Sequence, residues 1–317
     1  MTANPNPQRG LLDKVRDGFR LPIVKYYLSQ PIDGLRYLVI LFWEGPIKRF
    51  LHLDPNFDPN VHDDTVIDVV IPTIEKDFDT FKYVLPYIKK NLRHPIGEII
   101  VVCPPSKIIE SFCAKNGCRF VNENTVLPIT IKDIHFTGGG VDRSGWIFQQ
   151  LLKWSGDTLC KNEFFLIADS DTVLARPQVF RYKGKVIMPC GSDPCHLPYY
   201  RSFTKLLGEK VDPVINFTCH HSLFSKSILR DLKDRIEKEH HKVWYEAILS
   251  VLDPNEGACI SEYGTYGQFV FRYYRDQVRL EHWCNLSLPA KQIKDAGRLT
   301  KKYGRRYKAI SFHSYNS

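Results

Sequence analysis

Phe164-Phe165-Leu166-Ile167-Ala168-Asp169-Ser170-Asp171-Thr172 is an apolar run of strand length that ends in two carboxylates one residue apart. Alternate side chains of a strand share a face, so Asp169 and Asp171 can point together into the crevice beyond the strand's carboxyl end. Mg²⁺ and Mn²⁺ take oxygen ligands and commonly share one or two protein carboxylates with substrate phosphates, which makes the pair a candidate divalent-cation site. An isolated Asp-x-Asp also describes a solvated turn. The apolar lead-in is what favours the site.

Working outward, residues 66–71, 97–102 and 118–122 have the apolar, β-branched character of buried strands, and 77–90 and 107–116 read as helices between them. A helix over 144–154 precedes the Asp pair. This order predicts an α/β fold with a mostly parallel central sheet, helices on both faces, right-handed crossovers and a ligand crevice at the strand ends. Beyond the pair, 185–189 reads as a strand, 199–207 as a helix and 216–224 as a strand. A helix is expected over 225–252, with Ile228, Leu229, Leu232, Ile236, Val243, Trp244 and Ile248 on its core face, and another over 262–274. Gly138-Gly139-Gly140 lacks the spacing of a dinucleotide-binding turn and reads as a flexible loop. Residues 1–62 differ in character: helical patches broken by Pro22, Pro31, Pro46 and Pro55 predict a helical N-terminal extension ahead of a main domain over 63–317.

With 317 residues and 43% hydrophobic composition, the chain can build a core without disulfides. Nine scattered cysteines without a C-x-x-C pair read as reduced thiols of a cytosolic protein. Cys190, Cys195 and His196 lack a second zinc half-site. No apolar signal core follows Arg9, Lys14, Arg16 and Arg20, and the most hydrophobic stretch, 37–43, stops at Glu44-Gly45-Pro46, far short of the ~20 residues that span a bilayer. The net charge of +9 is concentrated in Lys291, Lys294, Arg298, Lys301, Lys302, Arg305, Arg306 and Lys308, opposed only by Asp295. Such a cluster fits an anionic lipid surface, a polyanion, a substrate diphosphate or simply a solvated helix. Together with the aromatic and basic N-terminal segment it admits a peripheral position on the cytoplasmic face of a membrane. Nucleic acid is not among the expected partners.

Four motifs in order, Val69-Val70-Ile71-Pro72-Thr73, Gly145-Trp146-Ile147-Phe148-Gln149-Gln150, Ala168-Asp169-Ser170-Asp171-Thr172 and Ser261-Glu262-Tyr263-Gly264-Thr265-Tyr266-Gly267, resemble GT-A fold glycosyltransferases. The similarity extends over residues 64–317 and is greatest to an Asp-x-Asp-bearing group found in bacteria and large algal viruses. It implies a GT-A-like, Rossmann-type fold and transfer of a sugar from a nucleotide-diphosphate donor, UDP-sugar favoured, to a glycan or lipid-linked acceptor with Mn²⁺ or Mg²⁺ as cofactor. On this resemblance Asp171 is the direct metal ligand, Asp169 contacts metal, ribose or sugar beside Ser170, and His313 of Ser311-Phe312-His313 completes the metal shell. Pro72, Thr73, Glu75 and Asp77 lie where nucleobase and ribose belong, Arg143 can pair with diphosphate oxygens, and Gln149 and Gln150 are candidates for substrate hydrogen bonds. Glu262 is the expected base for an inverting transfer, Asp193 the second choice, and His220 and His221 fall on the acceptor side, one of them to bind sugar hydroxyls and the other structural. The bland readings are a helix-terminal acid for Glu262, a turn for Asp193 and an exposed tail for His313.

Two other readings share parts of this pattern. A haloacid-dehalogenase-type phosphatase would use Asp169 as nucleophile and Asp171 as general acid, but its motif opens the domain, whereas a βαβαβ unit precedes this one. A basic membrane- or nucleic-acid-binding module would rest on residues 291–308 alone.

Overall fold

Strand β1 (Ile67–Pro72) is buried along its whole length, as expected for four β-branched aliphatics in a row broken only by Asp68. It lies at the centre of the main sheet of the computed structural model, which describes residues 28–51, 53–191, 195–211 and 215–314. The remaining strands are β2 (Ile96–Cys103), β3 (Arg119–Asn122), β4 (Thr137–Gly138), β5 (Val141–Asp142), β6 (Phe164–Ala168), β7 (Thr172–Leu174), β8 (Arg181–Tyr182), β9 (Lys185–Cys190), β10 (His221–Ser225), β11 (Val278–His282), β12 (Asn285–Pro289) and β13 (Ala309–His313). The main sheet has the order β10-β6-β1-β2-β3, parallel except for the antiparallel edge strand β10. The helices Phe78–Asn91, Lys107–Lys115 and Ser144–Trp154 flank it, the last packing against β1. The α/β class expected from the strand and helix alternation is thus the class observed.

Asp68 is the one charge inside the central strand, and it has no exposure. Its carboxylate accepts from the backbone N–H of Glu98, Lys161 and Asn162 at 2.8, 2.9 and 2.9 Å and from the Asn162 amide at 2.8 Å. Four donors replace the water that the carboxylate loses, and they tie β1 to β2 and to the loop that feeds β6. Gly97 permits this approach, because a Cβ there would lie 2.4 Å from the Asn162 amide nitrogen and 2.5 Å from an Asp68 oxygen.

Two smaller sheets extend the fold, with orders β11-β9-β8 and β12-β13-β7. Strand β13 pairs antiparallel with β7, Ser311 opposite Thr172, and so carries the end of the chain back to the Asp pair. Before β1, Asn56 donates to the Val179 carbonyl at 3.0 Å and to the Glu281 carboxylate at 2.9 Å, and Lys48 reaches the Leu280 carbonyl at 3.2 Å. The segment preceding the main sheet is therefore bonded to β11 and its neighbours.

The structure departs from the sequence expectations in several places. Gly138-Gly139-Gly140 is a hairpin rather than a flexible loop: Gly139 and Gly140 have φ of 57° and 80°, the left-handed pair that a two-residue turn between β4 and β5 requires. The helix expected over 225–252 is two helices, Lys226–His240 and Trp244–Ser250, because His241 turns left-handed at φ 52° while the apolar spacing runs on across the break. The strand expected from 216 begins at His221. Lys308, counted with the surface cations, is buried and ion-paired with Glu281, whereas the other seven basic residues of 291–308 are exposed.

Candidate active site

The Asp pair occupies a tight turn, because β6 ends at Ala168 and β7 begins at Thr172, with the Thr172 N–H reaching back to the Asp169 carbonyl at 3.4 Å. Asp169 and Asp171 thus converge through a turn at the strand's carboxyl end rather than through strand alternation. Two returning strands then supply an imidazole to each. Strand β10 runs antiparallel to β6 with His221 opposite Ala168, so His220 meets Asp169. The Asp169 N–H donates to the His220 carbonyl at 3.0 Å, and His220 Nδ1 lies 2.9 Å from Asp169 Oδ2. On the other side the Phe312 N–H donates to the Asp171 carbonyl at 2.8 Å, and His313 Nδ1 lies 2.9 Å from Asp171 Oδ2. The two imidazole rings are 5.3 Å apart between centroids.

The second oxygen of Asp169 is held from beneath. Lys153, in the last turn of the Ser144–Trp154 helix, is buried and donates to Asp169 Oδ1 at 2.6 Å and to Glu262 Oε1 at 2.5 Å. The Tyr263 hydroxyl donates to the same Asp169 oxygen at 3.0 Å. Burial alone would raise the Asp169 pKa, but the Lys153 ammonium and His220 outweigh it and hold the carboxyl below its usual range. Burial likewise opposes the charge on Lys153, and the Asp169 and Glu262 carboxylates overcome it, so its pKa is raised. Tyr263 is pushed well above the usual phenol value by burial and by the Asp169 charge, which keeps its hydroxyl a donor.

Glu262 opens the Glu262–Tyr273 helix, capped by Ser261, whose hydroxyl accepts from Gly264 N–H at 3.0 Å. That first turn is bonded to the Ser144–Trp154 helix: Glu262 N–H donates to Gln150 Oε1 at 3.0 Å, and Trp154 Nε1 donates to the Glu262 carbonyl at 3.3 Å. Gln150 is buried in this joint, while Gln149 is half-buried.

Pro72, which ends β1, and Thr73 after it are buried, and the Thr73 hydroxyl has no hydrogen-bond partner. Glu75 is exposed and accepts from the Ser106 hydroxyl at 2.7 Å. Asp77 is half-buried, and its pKa is raised by burial and by the charge of Asp171. Ser170 is buried within the turn. Arg143 stands at the start of its helix beside Gly257, its N–H donating to the Phe136 carbonyl at 2.9 Å.

His221 is a correction to the assignment of both histidines to substrate, and it takes the structural place that the sequence reading left to one of them. Adjacent residues of a strand face opposite ways, so with His220 toward the Asp pair, His221 points into the core between Phe180 and Trp283. It has no exposure and neither ring nitrogen has a hydrogen-bond partner, so it cannot meet a substrate. Burial pushes its pKa down to about 3 and keeps it neutral. Asp193 lies outside the described residues.

Asp169, Asp171 and His220 each offer one ligand atom, and these atoms lie within 4.8 Å of one another. A mixed carboxylate and imidazole set partly open to solvent fits a divalent ion such as Mn²⁺. Lys153 and Tyr263 were not singled out from the sequence. The available signal was a lysine between Leu152 and Trp154 in a helix that carries no other charged residue.

DUF6492, described as a family of unknown function, matches residues 64–296. No curated protein matches the sequence. Among solved structures, glucosyl-3-phosphoglycerate synthase from Mycobacterium tuberculosis, in complex with Mn²⁺, UDP and glucosyl-3-phosphoglycerate, is similar at a TM-score of 0.39 and 15% identity, over 76% of this chain and 80% of that one. The same enzyme with Mn²⁺, UDP-glucose and glycerol 3-phosphate gives a TM-score of 0.41 at 15% identity over the same shares. The bifunctional glycosyltransferase WbbM, in its apo structure, gives 0.45 at 13% identity, over 80% of this chain and 47% of that longer one.

Proposed function

The chain belongs to the family of unknown function DUF6492, and for this member we propose a metal-dependent glycosyl transfer from a nucleotide-diphosphate sugar, UDP-sugar favoured, to a glycan or lipid-linked acceptor. The observation that carries the proposal is the pair Asp169 and Asp171 at the carboxyl end of a parallel strand, with ligand atoms of both and of His220 within 4.8 Å. This is the edge of an α/β sheet where ligands bind, and the sequence motifs that resemble GT-A glycosyltransferases converge on it.

Asp169 and Asp171, with His313, are the residues that would hold Mn²⁺ or Mg²⁺. Such an ion, when bound, neutralises the charge that develops on a leaving diphosphate. Lys153 and Tyr263 fix the Asp169 carboxylate, while Thr73, Glu75 and Asp77 line the approach after β1 where a nucleoside would lie. Glu262 takes the proton of the acceptor hydroxyl; the hydroxyl oxygen forms the new bond to the anomeric carbon, the bond to the diphosphate oxygen breaks, and configuration inverts. The phosphatase alternative is less well supported, because an imidazole rather than a second acidic strand end stands beside the pair.

A peripheral membrane position, on the cytoplasmic face, is part of the proposal. It is supported by the exposed apolar side chains Leu28, Ile32, Leu35, Leu38, Val39, Phe42 and Phe50 and by the seven exposed cations between 291 and 306. No helix among the described residues is long and apolar enough to cross a membrane.

Screening sugar nucleotides for Mn²⁺-dependent hydrolysis, with Asp171→Ala as control, tests the function. Turnover of one donor that Asp171→Ala abolishes, along with calorimetric Mn²⁺ and nucleotide binding, is expected. Undiminished metal and nucleotide affinity in that variant removes the assignment.

A further inference from the structure

We propose that Ser311 and Asn285 are positioning residues that act on Asp171 through the Thr172 hydroxyl, in a one-way row of hydrogen bonds that crosses the sheet β12-β13-β7. This rests on the metal-dependent reading above and extends it to side chains that stand behind the Asp pair rather than in it.

Strand β13 lies between β7 and β12, antiparallel to the first and parallel to the second. Ser311 stands opposite Thr172, and Asn285 stands opposite Ala309, two residues before Ser311 and so on the same face. Asn285 Nδ2 is 2.9 Å from Ser311 Oγ, Ser311 Oγ is 2.8 Å from Thr172 Oγ1, and Thr172 Oγ1 is 3.0 Å from Asp171 Oδ1. Thr172 and Ser311 have no exposure, so water cannot take the place of a lost partner.

The chemistry of the carboxylate end fixes the direction of every bond. An ionised carboxylate only accepts, so the Thr172 hydroxyl gives its one proton to Asp171. Thr172 must then accept from Ser311, and Ser311, its own proton used, must accept from an N–H. The Asn285 amide therefore presents its NH₂ to Ser311 and turns its oxygen the other way. That oxygen is buried and has no partner among the described residues. Turning the amide over would relieve nothing, because its oxygen would then meet a Ser311 oxygen with no proton to give. In surroundings of low dielectric each bond polarises the next donor toward the carboxylate.

The row makes the two carboxylates unlike. Asp169 is ion-paired with the buried Lys153 ammonium, which opposes part of its charge. No lysine or arginine among the described residues is ion-paired with Asp171, whose Oδ1 is held by a neutral hydroxyl instead. Neutral donors orient a carboxylate without cancelling its charge. Asp171 thus keeps its negative charge for a cation, and the row fixes the plane of the carboxylate that meets it.

The test is the Mn²⁺ dissociation constant of the full chain, measured by calorimetry without a sugar nucleotide, in Thr172→Val, Thr172→Ser, Ser311→Ala and the double variant Thr172→Val/Ser311→Ala. Thr172→Val should weaken binding by about 10–100-fold, the usual worth of a group that orients a metal ligand. Thr172→Ser keeps the hydroxyl and should bind nearly as the wild type does. Ser311→Ala should weaken binding less than Thr172→Val, and the double variant no more than Thr172→Val alone, because Ser311 reaches Asp171 only through that hydroxyl. A loosened sheet would instead subtract separately for each lost side chain. Unchanged affinity in Thr172→Val, losses that add in the double variant, or Thr172→Ser as weak as Thr172→Val overturns the row and leaves the metal-dependent reading intact. Asn285→Leu closes the same cycle, with the same expectation, if Ser311→Ala fails to fold. Absence of Mn²⁺ binding to the wild type overturns both.

Discussion

Replacing Lys153 by methionine preserves the length of the stem and removes the ammonium that joins Asp169 to Glu262. The nitrogen lies 2.6 and 2.5 Å from the two carboxylate oxygens, and the side chains of Lys153, Asp169 and Glu262 are 5%, 21% and 8% exposed. Without it, two carboxylates roughly 5 Å apart repel by about 3 kcal/mol at an effective dielectric constant near 20. Removing one partner of a buried pair typically costs about 3–5 kcal/mol, in agreement. Since domains of 150–250 residues lose about 2–4 °C per kcal/mol, the melting temperature should drop by about 10 °C in metal-free buffer at pH 7. The pH dependence has a definite sign. In the wild type, the lowered pKa of Asp169 contributes stability that is present above the unfolded carboxylate value near 4 and is lost as pH falls through the folded value. In Lys153→Met the unneutralised pair is relieved by taking up a proton as pH falls, so the gap between the two proteins narrows from pH 7 toward pH 4–5. Urea unfolding midpoints at both pH values check this. Equal midpoints at pH 7, or a gap that widens toward acid, would show that the ammonium is not neutralising the pair.

The other expectations concern catalysis, a buried base and the surface. Glu262→Gln should retain donor binding and lower kcat by about 10²–10⁴, the usual contribution of a positioned base; near-normal transfer, or product NMR showing a retained anomeric configuration, removes Glu262 from that role. His221→Leu should leave activity unchanged. The wild type should lose stability as pH falls from about 6.5 toward 3, by up to about 1.4 kcal/mol per unit, because the unfolded chain binds a proton that the buried ring refuses. In the leucine variant that slope flattens, and an unaltered acid profile refutes the assignment. Co-sedimentation with anionic liposomes at low salt, reversed at high salt, is expected of the exposed apolar and basic segments; no binding leaves a soluble acceptor as the better account.

What the sequence alone determined was local. The apolar strand ending in Asp169 and Asp171, the βαβαβ order before it and the bounds of the Ser144–Trp154 helix were legible because side-chain periodicity and turn residues act within a few positions. The candidate site was only half legible. The paired carboxylates declared themselves, and Glu262 was visible as the acid after a Ser cap. Lys153 and Tyr263 were not, since their partners lie 16 and 94 residues away in the chain. Strands β7, β12 and β13 were missed because the pairing of short strands, and not their composition, makes them strands. Which of two adjacent histidines faces the Asp pair depends on strand register, and a shift of one residue would exchange His220 for His221. Only the tertiary structure decides that, because register is set by the packing of a whole face against the core, a sum over distant contacts that no stretch of sequence contains.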